Sequence, residues 1–335
     1  MRVLIVKLSS LGDVVHTLPA VMDLWHSVPG VQIDWVVERG FAPLVQACAA
    51  VQRVIPCELR RWRHAPLAAQ TRREWAAFKR ELQAHAYDAV IDLQGLSKSA
   101  LVSFMTRLTP AGRRHAMARR TEGSGYEAPT RWVADVTHEQ PWHSHACERG
   151  RLLVAQVMGY DVPASIDFGL RIVPEQLAAP ADLMAPDVSV QPGTVALVHG
   201  TSRDDKLWPV DHWVSLGQRL LAQGHSVALL HGSQAELQRS QVLAQALPGA
   251  VVWPRLSLDR MLLPLSQCTG VIGVDSGPSH VAVALNLPHV QLYNFDTAWR
   301  TGPPNVPHQR AVFDQPCPSV DAVWSAWQAC VGAAS

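Results

Sequence analysis

A short β-branched run, Arg2-Val-Leu-Ile-Val-Lys7, breaks off at Ser9-Ser10-Leu11-Gly12-Asp13, and helical spacing then begins. This is strand, small-residue loop, helix, and the same theme returns near residue 194. Between the two occurrences Gln32–Val37 and Asp88–Leu93 read as strands, with a charged helix over Arg72–His85. After Thr194–His199 come a polar loop, Gly200–Trp208, and an amphipathic helix, Val210–Gln223. Ser226–Leu230, Ala250–Trp253 and Gly270–Val274 continue as strands, and the tail from Ser319 to Cys330 has helical spacing with Ser319 available as N-cap. Strands alternating with crossover helices predict parallel sheets covered on both faces. Arg171 to Pro192 breaks the alternation, with Pro174, Pro180, Pro186 and Pro192 punctuating an Ala-rich stretch that reads as a linker. The fold class is therefore α/β: two Rossmann-like doubly wound domains facing a central cleft, over 1–170 and 194–318, with 171–193 as linker and 319–335 as a C-terminal helix.

Charge divides along the same boundary. Residues 1–180 carry 21 Lys+Arg against 17 Asp+Glu, and residues 181–335 carry 8 against 11. Residues 51–120 alone hold 14 basic and 5 acidic side chains, so the first half is expected to meet an anion. With 48% hydrophobic and 17% charged residues the chain is not disordered. Its six cysteines lack C-x-x-C or secreted-scaffold spacing and read as reduced, mostly buried thiols. There is no signal-peptide core after Arg2 and no apolar run near the ~20 residues that span a bilayer. A cytoplasmic protein is expected.

Ligands of doubly wound sheets bind beyond the carboxyl ends of the strands, where Ser9–Asp13 and Gly200–Trp208 both fall. Asp13, at a helix entrance beside Lys7, Ser9 and Ser10, is either an N-cap or a general base kept ionised by the helix dipole. In His199–Pro209, Thr201, Ser202 and Lys206 offer hydroxyls, backbone N–H groups and a positive charge to a phosphate. Asp204 and Asp205 are solvated or pair with Arg203 and Lys206. The turn Asp275-Ser276-Gly277-Pro278-Ser279-His280 leaves room for a diphosphate, with His280 either a ligand contact or a core residue. Arg60-Arg61-Trp62-Arg63, Arg113-Arg114 and Arg119-Arg120 can clamp carboxylates or phosphates, or form a solvated face. No nucleic-acid module accompanies them. The apolar and basic run Leu101–Arg120 reads as a buried helix beside such a site, or as a surface for anionic headgroups. The histidines are dispersed, with no zinc spacing and no D-x-D, so no metal or cofactor is expected. Neither half has a dinucleotide fingerprint, which argues against a dehydrogenase.

Several of these elements, in order and over nearly the whole chain, resemble the lipopolysaccharide heptosyltransferases of glycosyltransferase family 9, which have the GT-B fold. They are the opening Met1–Ala20, Asp34–Glu38, Arg60–Arg63, Tyr87–Leu96 with Lys98 and Ser99, Thr201–Pro209 and Asp275–His280. The resemblance implies an inverting, metal-independent transfer of L-glycero-D-manno-heptose from ADP-heptose to the Kdo residue of Kdo-lipid A. It implies a monomer without a transmembrane segment, attached peripherally to the cytoplasmic face of the inner membrane. Asp13 would be the base, assisted by Lys206. Thr201, Ser202, Lys206, Glu236, Leu256, Asp275, Ser276, Gly277 and His280 would meet the donor. Lys7, Ser10, Gly12, Arg60, Arg61, Arg63, Gln94, Lys98 and Arg120 would meet the acceptor. His64, Ser202, Ser276 and Leu256 depart from the family's usual Lys, Thr, Thr and Met, and 119–131 departs most. The alternatives are addition of a later heptose and a sugar-nucleotide epimerase on the same architecture.

Overall fold

The computed structural model describes residues 1–172 and 188–334. The chain divides into two units, Met1–Arg171 and Ile172–Ser335. Pro174, Pro180 and Pro186 lie outside the described residues.

In the first unit β1 (Arg2–Val6), β2 (Gln32–Glu38), β3 (Arg53–Cys57), β4 (Ala86–Asp92), β5 (Arg107–Met117) and β6 (Val136–His138) form one sheet in the order β3-β2-β1-β4-β5-β6. Every pairing is parallel, with β1 in register against β2 (Arg2↔Gln32) and β4 (Val3↔Ala89). Val3, Leu4, Ile5 and Val6 are fully buried because helices cover both faces, which is why β1 reads as a continuous apolar run. One core cluster joins Leu4, Val6, Val36, Ile55, Tyr87 and Val90 to Phe78 and Leu82 of the helix Ala69–Leu82. The helices Leu18–Ser27 and Ala146–Met158 enclose an ion pair in which Arg151 donates to Asp23 at 2.6 Å.

The second unit repeats the plan. β7 (Thr194–Val198), β8 (Ser226–Leu229), β9 (Val251–Val252), β10 (Gly270–Val274), β11 (His289–Tyr293) and β12 (Gln309–Phe313) pair in parallel in the order β12-β11-β10-β7-β8-β9. Counted within the unit this is the same strand order as the first, and in both it is the order of a doubly wound dinucleotide-type sheet. The helix Val320–Ala334 belongs to this core: Val323, Trp327 and Cys330 pack with Val195, Ile272 and Val290. Ser319 caps it, its Oγ accepting from the Ala322 N–H at 3.2 Å. All six cysteines are free thiols and five are buried.

Two expectations need correction. The run Leu101–Arg120 is not one buried helix: a helix ends at Phe104 and β5 occupies Arg107–Met117. Pro110 and Gly112 conceal this strand, because the chain loops out and register jumps from Tyr87↔Leu108 to Ala89↔Arg113. A Cβ on Gly112 would lie 2.4 Å from the Tyr87 carbonyl oxygen, so only glycine fits there. The strand expected over Ala250–Trp253 shrinks to two residues at the sheet edge.

Candidate active site

Each sheet has one point where strand order reverses: between β1 and β4 in the first unit, and between β7 and β10 in the second. Loops after those strands diverge and leave a crevice at the carboxyl edge. The loops that sequence singles out are the ones that flank these two points.

In the first unit the loop after β1 carries Lys7–Asp13 and the loop after β4 carries Leu93–Leu96. Asp92, at the end of β4, organises the second loop. Its carboxylate accepts from the backbone N–H groups of Gln94 (2.8 Å) and Gly95 (3.0 Å) and from the Ser99 hydroxyl (2.8 Å). Gly95 turns with φ +75°, a region that glycine enters without strain. Gln94 then braces the first loop, its Oε1 accepting from the N–H groups of Leu8 (3.0 Å) and Ser9 (3.1 Å). The Lys98 ammonium donates to Ser9 Oγ at 2.6 Å. The expected acceptor contacts Gln94 and Lys98 therefore also shape the loop that presents Asp13.

Asp13 sits in the short helix Leu11–Val15, which begins beyond Ser10 with Gly12 beside the carboxylate. Its Oδ2 accepts from both the N–H and the hydroxyl of Ser10, each at 2.8 Å, and its Oδ1 lies 3.7 Å from the buried Lys7 ammonium. Lys7 in turn donates to the Leu93 carbonyl at 2.9 Å. Burial pushes the Asp13 carboxyl up, but Lys7, the two Ser10 bonds and Arg149 outweigh it and hold the group below its ordinary value. Burial, reinforced by Arg149, pushes Lys7 down, against Asp13 and Asp92. The Asp13 side chain is 41% exposed, so this is an ionised carboxylate that remains accessible. Beside it Lys7, Asp13, His16, Thr17 and Arg149 line a cavity of about 20 Å³, room for one water. Sequence reasoning missed Arg149, which comes from the first turn of the helix Ala146–Met158 and carries no motif of its own.

The other basic residues separate. Arg60, Arg63 and Lys98 line a groove of about 1010 Å³ together with Trp62, Trp75 and Leu101. Arg61 does not; its guanidinium bonds the carboxylates of Glu58 and Glu74. Arg114 staples its own strand, donating to the Ser103 carbonyl at 2.8 Å. Arg119 pairs with Glu139 at 2.7 Å, while Arg120 is exposed and makes no ion pair among the described residues.

In the second unit the loop after β7 bends through a 3₁₀ turn, Asp204–Lys206. Asn294, beyond β11, pins that turn by donating to the carbonyls of Asp205 and Leu207, both at 3.0 Å. Asn294 is a second residue that sequence reasoning missed, although its place just after a strand end is the available signal. Lys206 reaches the loop after β10, its ammonium 2.5 Å from Asp275 Oδ2, and His280 Nε2 lies 3.2 Å from Oδ1. Thr201 Oγ1 donates to the Asp275 carbonyl at 3.3 Å. Burial pushes Asp275 up, but His280 and Lys206 prevail and hold it well below the usual carboxylate range. Of the two loop aspartates, Asp205 pairs with Arg203. Lys206 pairs with neither.

Ser276 is the N-cap of the helix Gly277–Ala284, whose first turn holds Gly277, Pro278 and His280. That helix lies close on β10, since a Cβ on Gly273 would come 2.3 Å from Ser279 Oγ. Glu236, in the first turn of the helix Gln234–Ala246, folds back so that its Oε2 accepts from the Gly232 N–H at 2.6 Å. Its carboxylate lies against Gly200, where a Cβ would meet Glu236 Cδ at 2.5 Å. Leu256 is half-buried ahead of the helix Leu258–Ser266, and Ser202 is exposed. The structure thus brings Thr201, Lys206, Asp275 and His280 into one polar cluster at the crevice. Among the described residues no group of three or more His, Cys, Asp or Glu is arranged to hold a metal ion.

The sequence profile of glycosyltransferase family 9 (heptosyltransferase) matches residues 75–319. The chain belongs to this family. It is 42% identical over 297 residues to lipopolysaccharide heptosyltransferase 1 of Pseudomonas aeruginosa, covering 88% of this chain and 78% of that protein. It is 39% identical over 295 residues to lipopolysaccharide heptosyltransferase 1 of Escherichia coli K12, covering 88% of each. Against lipopolysaccharide heptosyltransferase 2 of the same strain identity drops to 25%. Among solved structures, E. coli heptosyltransferase WaaC with ADP superposes with a TM-score of 0.82 at 34% identity, covering 97% of this chain and 98% of that one. The family member is thus a glycosyltransferase with two parallel six-stranded sheets of the GT-B type.

No helix among the described residues is long and apolar enough to cross a membrane.

Proposed function

We propose that this glycosyltransferase moves heptose from ADP-heptose to the Kdo residue of Kdo-lipid A, the first heptose addition of lipopolysaccharide inner-core synthesis, with inversion and without a metal. The observation that carries the reading is the state of Asp13: an accessible carboxylate, kept ionised by Lys7 and Ser10, at the switch point of its sheet. A base must be charged and reachable before it can take a proton. The stronger similarity to lipopolysaccharide heptosyltransferase 1 than to enzyme 2 supports the choice of acceptor. A solved WaaC complex with ADP-2-deoxy-2-fluoro heptose, from a structure 34% identical to this chain, supports the choice of donor.

In this reading Asp13 takes the proton from the acceptor hydroxyl as its oxygen attacks the anomeric carbon of the donor heptose. The bond from that carbon to the β-phosphate oxygen breaks, and its electron pair leaves with ADP. Direct displacement inverts the anomeric centre. Lys206, the hydroxyls of Thr201, Ser202 and Ser276, and the N-terminal turn at Gly277 would meet the charge developing on the diphosphate. With Lys206 at hand, a protein cation would serve where other sugar-nucleotide enzymes use a divalent ion. Glu236 and Leu256 would contact the ribose and adenine. Lys7, Ser10, Arg60, Arg63 and Arg120 would meet the anionic acceptor as a monomer works at the membrane face.

The test is ADP release by the purified protein with ADP-heptose, with and without deacylated Kdo-lipid A, in excess EDTA. Release that requires the acceptor, survives EDTA and disappears in Asp13→Ala is expected. Loss of turnover in EDTA would refute metal independence. Turnover only with an acceptor already bearing heptose would move the protein to a later step. Release without any acceptor would remove Asp13 from its assigned role.

A further inference from the structure

The groove beside the Asp13 loop is large, and its lining is in part apolar. At about 1010 Å³ it reaches the top of the ~300–1,000 Å³ range of small-molecule sites. One part of its lining is charged, with the cations Arg60, Arg63, Arg72 and Lys98 outnumbering a single carboxylate, Glu127, which accepts from the Ser97 N–H at 2.7 Å. The other is hydrocarbon and aromatic: Leu59, Trp62, Pro66, Trp75, Leu96 and Leu101. The aromatic floor is rigid, because Trp62, Trp75 and Phe78 pack with ring centroids 5.6–5.9 Å apart and Trp62 Nε1 donates to Glu74 at 2.7 Å. Of the lining, Leu101 is 45% exposed; Leu67, next in sequence to Pro66, is 85% exposed, and Phe104, on the same helix as Leu101, 66%. Neither the Arg63 nor the Arg72 guanidinium has a hydrogen bond or ion pair among the described residues.

Phosphates satisfy the cations and a sugar ring can lay a C–H face on tryptophan, but neither uses the hydrocarbon that Leu59, Pro66, Leu96 and Leu101 add to the same lining. A ligand that matches both halves is an amphiphile with anionic groups at one end and hydrocarbon at the other. The groove also continues from the proposed catalytic loop, since Lys98 on its wall donates to Ser9 at 2.6 Å, one residue before the Ser10 that holds Asp13.

We propose that this groove seats the acyl-bearing glucosamine phosphate end of the acceptor lipid, a fatty-acyl chain lying along Trp75 and Leu101 and its phosphate facing Arg63 and Arg72. The inference rests on the acceptor reading above and adds a hydrocarbon subsite to it. Specificity then has two parts: the sugar presented to Asp13, and a lipid tail held in the same unit. Trp62, only 5% exposed at the groove floor, is reachable by a single chain entering a concavity and not by the plane of a bilayer.

Two measurements test it. The first is kcat/KM for acylated over deacylated Kdo-lipid A, both in the same mild detergent, for the natural protein and for Leu101→Glu. Leu101 is exposed on the helix Ser97–Phe104, so the variant is expected to fold. The acylated-over-deacylated ratio is expected to fall about tenfold, because a carboxylate is set against hydrocarbon. The second needs no donor: a glucosamine phosphate with a nitroxide-labelled acyl chain should quench tryptophan fluorescence, and quenching should weaken in Trp75→Phe. A ratio unchanged by Leu101→Glu, with equal quenching in both proteins, overturns the acyl subsite. Competition for the quencher by phosphatidylglycerol vesicles free of lipid A would overturn it in favour of a bilayer contact. If neither acceptor is turned over the transfer reading fails, and the quenching experiment still decides the groove.

Discussion

Replacing Gly200 with alanine adds one methyl group, and the structure gives its consequence. The new Cβ would stand 2.5 Å from Cδ of Glu236, 2.6 Å from Cγ and 2.8 Å from Oε1, about 1 Å inside ordinary carbon contact. Gly200 does not occupy the left-handed region, so the backbone accepts alanine and the glutamate must move instead. Swinging it out breaks the 2.6 Å bond from the Gly232 N–H to Oε2. A hydrogen bond to a charged group contributes about 1.5–3 kcal/mol. Glu236 is half-buried, so the lower figure applies, and at about 1.4 kcal/mol per decade ADP affinity should weaken roughly tenfold. Calorimetric titration of ADP measures this directly, with donor KM rising in parallel and kcat changing less, since Glu236 lies away from the bond that breaks in the proposed reaction. The decisive control is the cycle with Glu236→Ala. Once the carboxylate is gone the methyl group has nothing to displace, and Gly200→Ala should have no further effect. An equal loss of ADP affinity in both backgrounds, or none in either, would refute a role for Gly200 in holding Glu236.

Three further outcomes follow from the two loop clusters. Asp13→Asn keeps the shape of the Ser10 turn but cannot take a proton, so kcat should fall by about 10²–10⁴ while ADP affinity persists; a loss below tenfold in a stopped assay would exclude Asp13 as base. Lys206→Met leaves the buried Asp275 with His280 alone, and removal of one partner from a buried pair costs about 3–5 kcal/mol, reduced here to roughly 2 because Lys206 is partly exposed and His280 remains. Because Asp275 has a depressed folded pKa, the stability it contributes is fully present above its unfolded value of ~3.9 and is lost as pH falls. In denaturant melts the gap between Lys206→Met and the natural protein should therefore be full at pH 7 and narrow below pH ~4, and the double variant Lys206→Met/Asp275→Leu should recover part of it. Lys7→Met and Arg149→Met each remove a charge that lowers the Asp13 pKa, so the acid limb of kcat/KM should move to higher pH in both, and further for Lys7, the nearer and stronger influence. An unmoved limb in Lys7→Met would show that Asp13 does not govern it.

What could be read from the sequence, and what could not, follows from strand order. Each loop announces itself locally: Ser9–Asp13 after a β-branched run, Thr201–Lys206 before Trp208, Asp275–His280 after an apolar run that glycine interrupts. Their partners lie some 70 to 90 residues away, and only the reversal of strand order at β1/β4 and β7/β10 makes them neighbours. So Asp13 was legible but Arg149 was not, since a single arginine in an ordinary helical turn acquires meaning only from the loop it faces. Lys206 was legible as a phosphate cation, and the carboxylates that sequence offered it as one of two readings were its neighbours Asp204 and Asp205; the fold gives it Asp275 instead. Arg60, Arg61 and Arg63 look alike in the chain, but the turn Leu59–Trp62 sends Arg61 to Glu58 and Glu74 and leaves Arg60 and Arg63 in the groove. Strand β5 escaped for the opposite reason: Pro110 and Gly112 are local signals against a strand, and the parallel partner β4 overrides them by letting four residues loop out. Local chemistry therefore locates a candidate group, while the pairing that sets its charge and its access comes from topology. The same division governs engineering of this site: a substitution within a loop changes which group is present, and one at Gly200, Asn294 or Asp92 changes where that group is held.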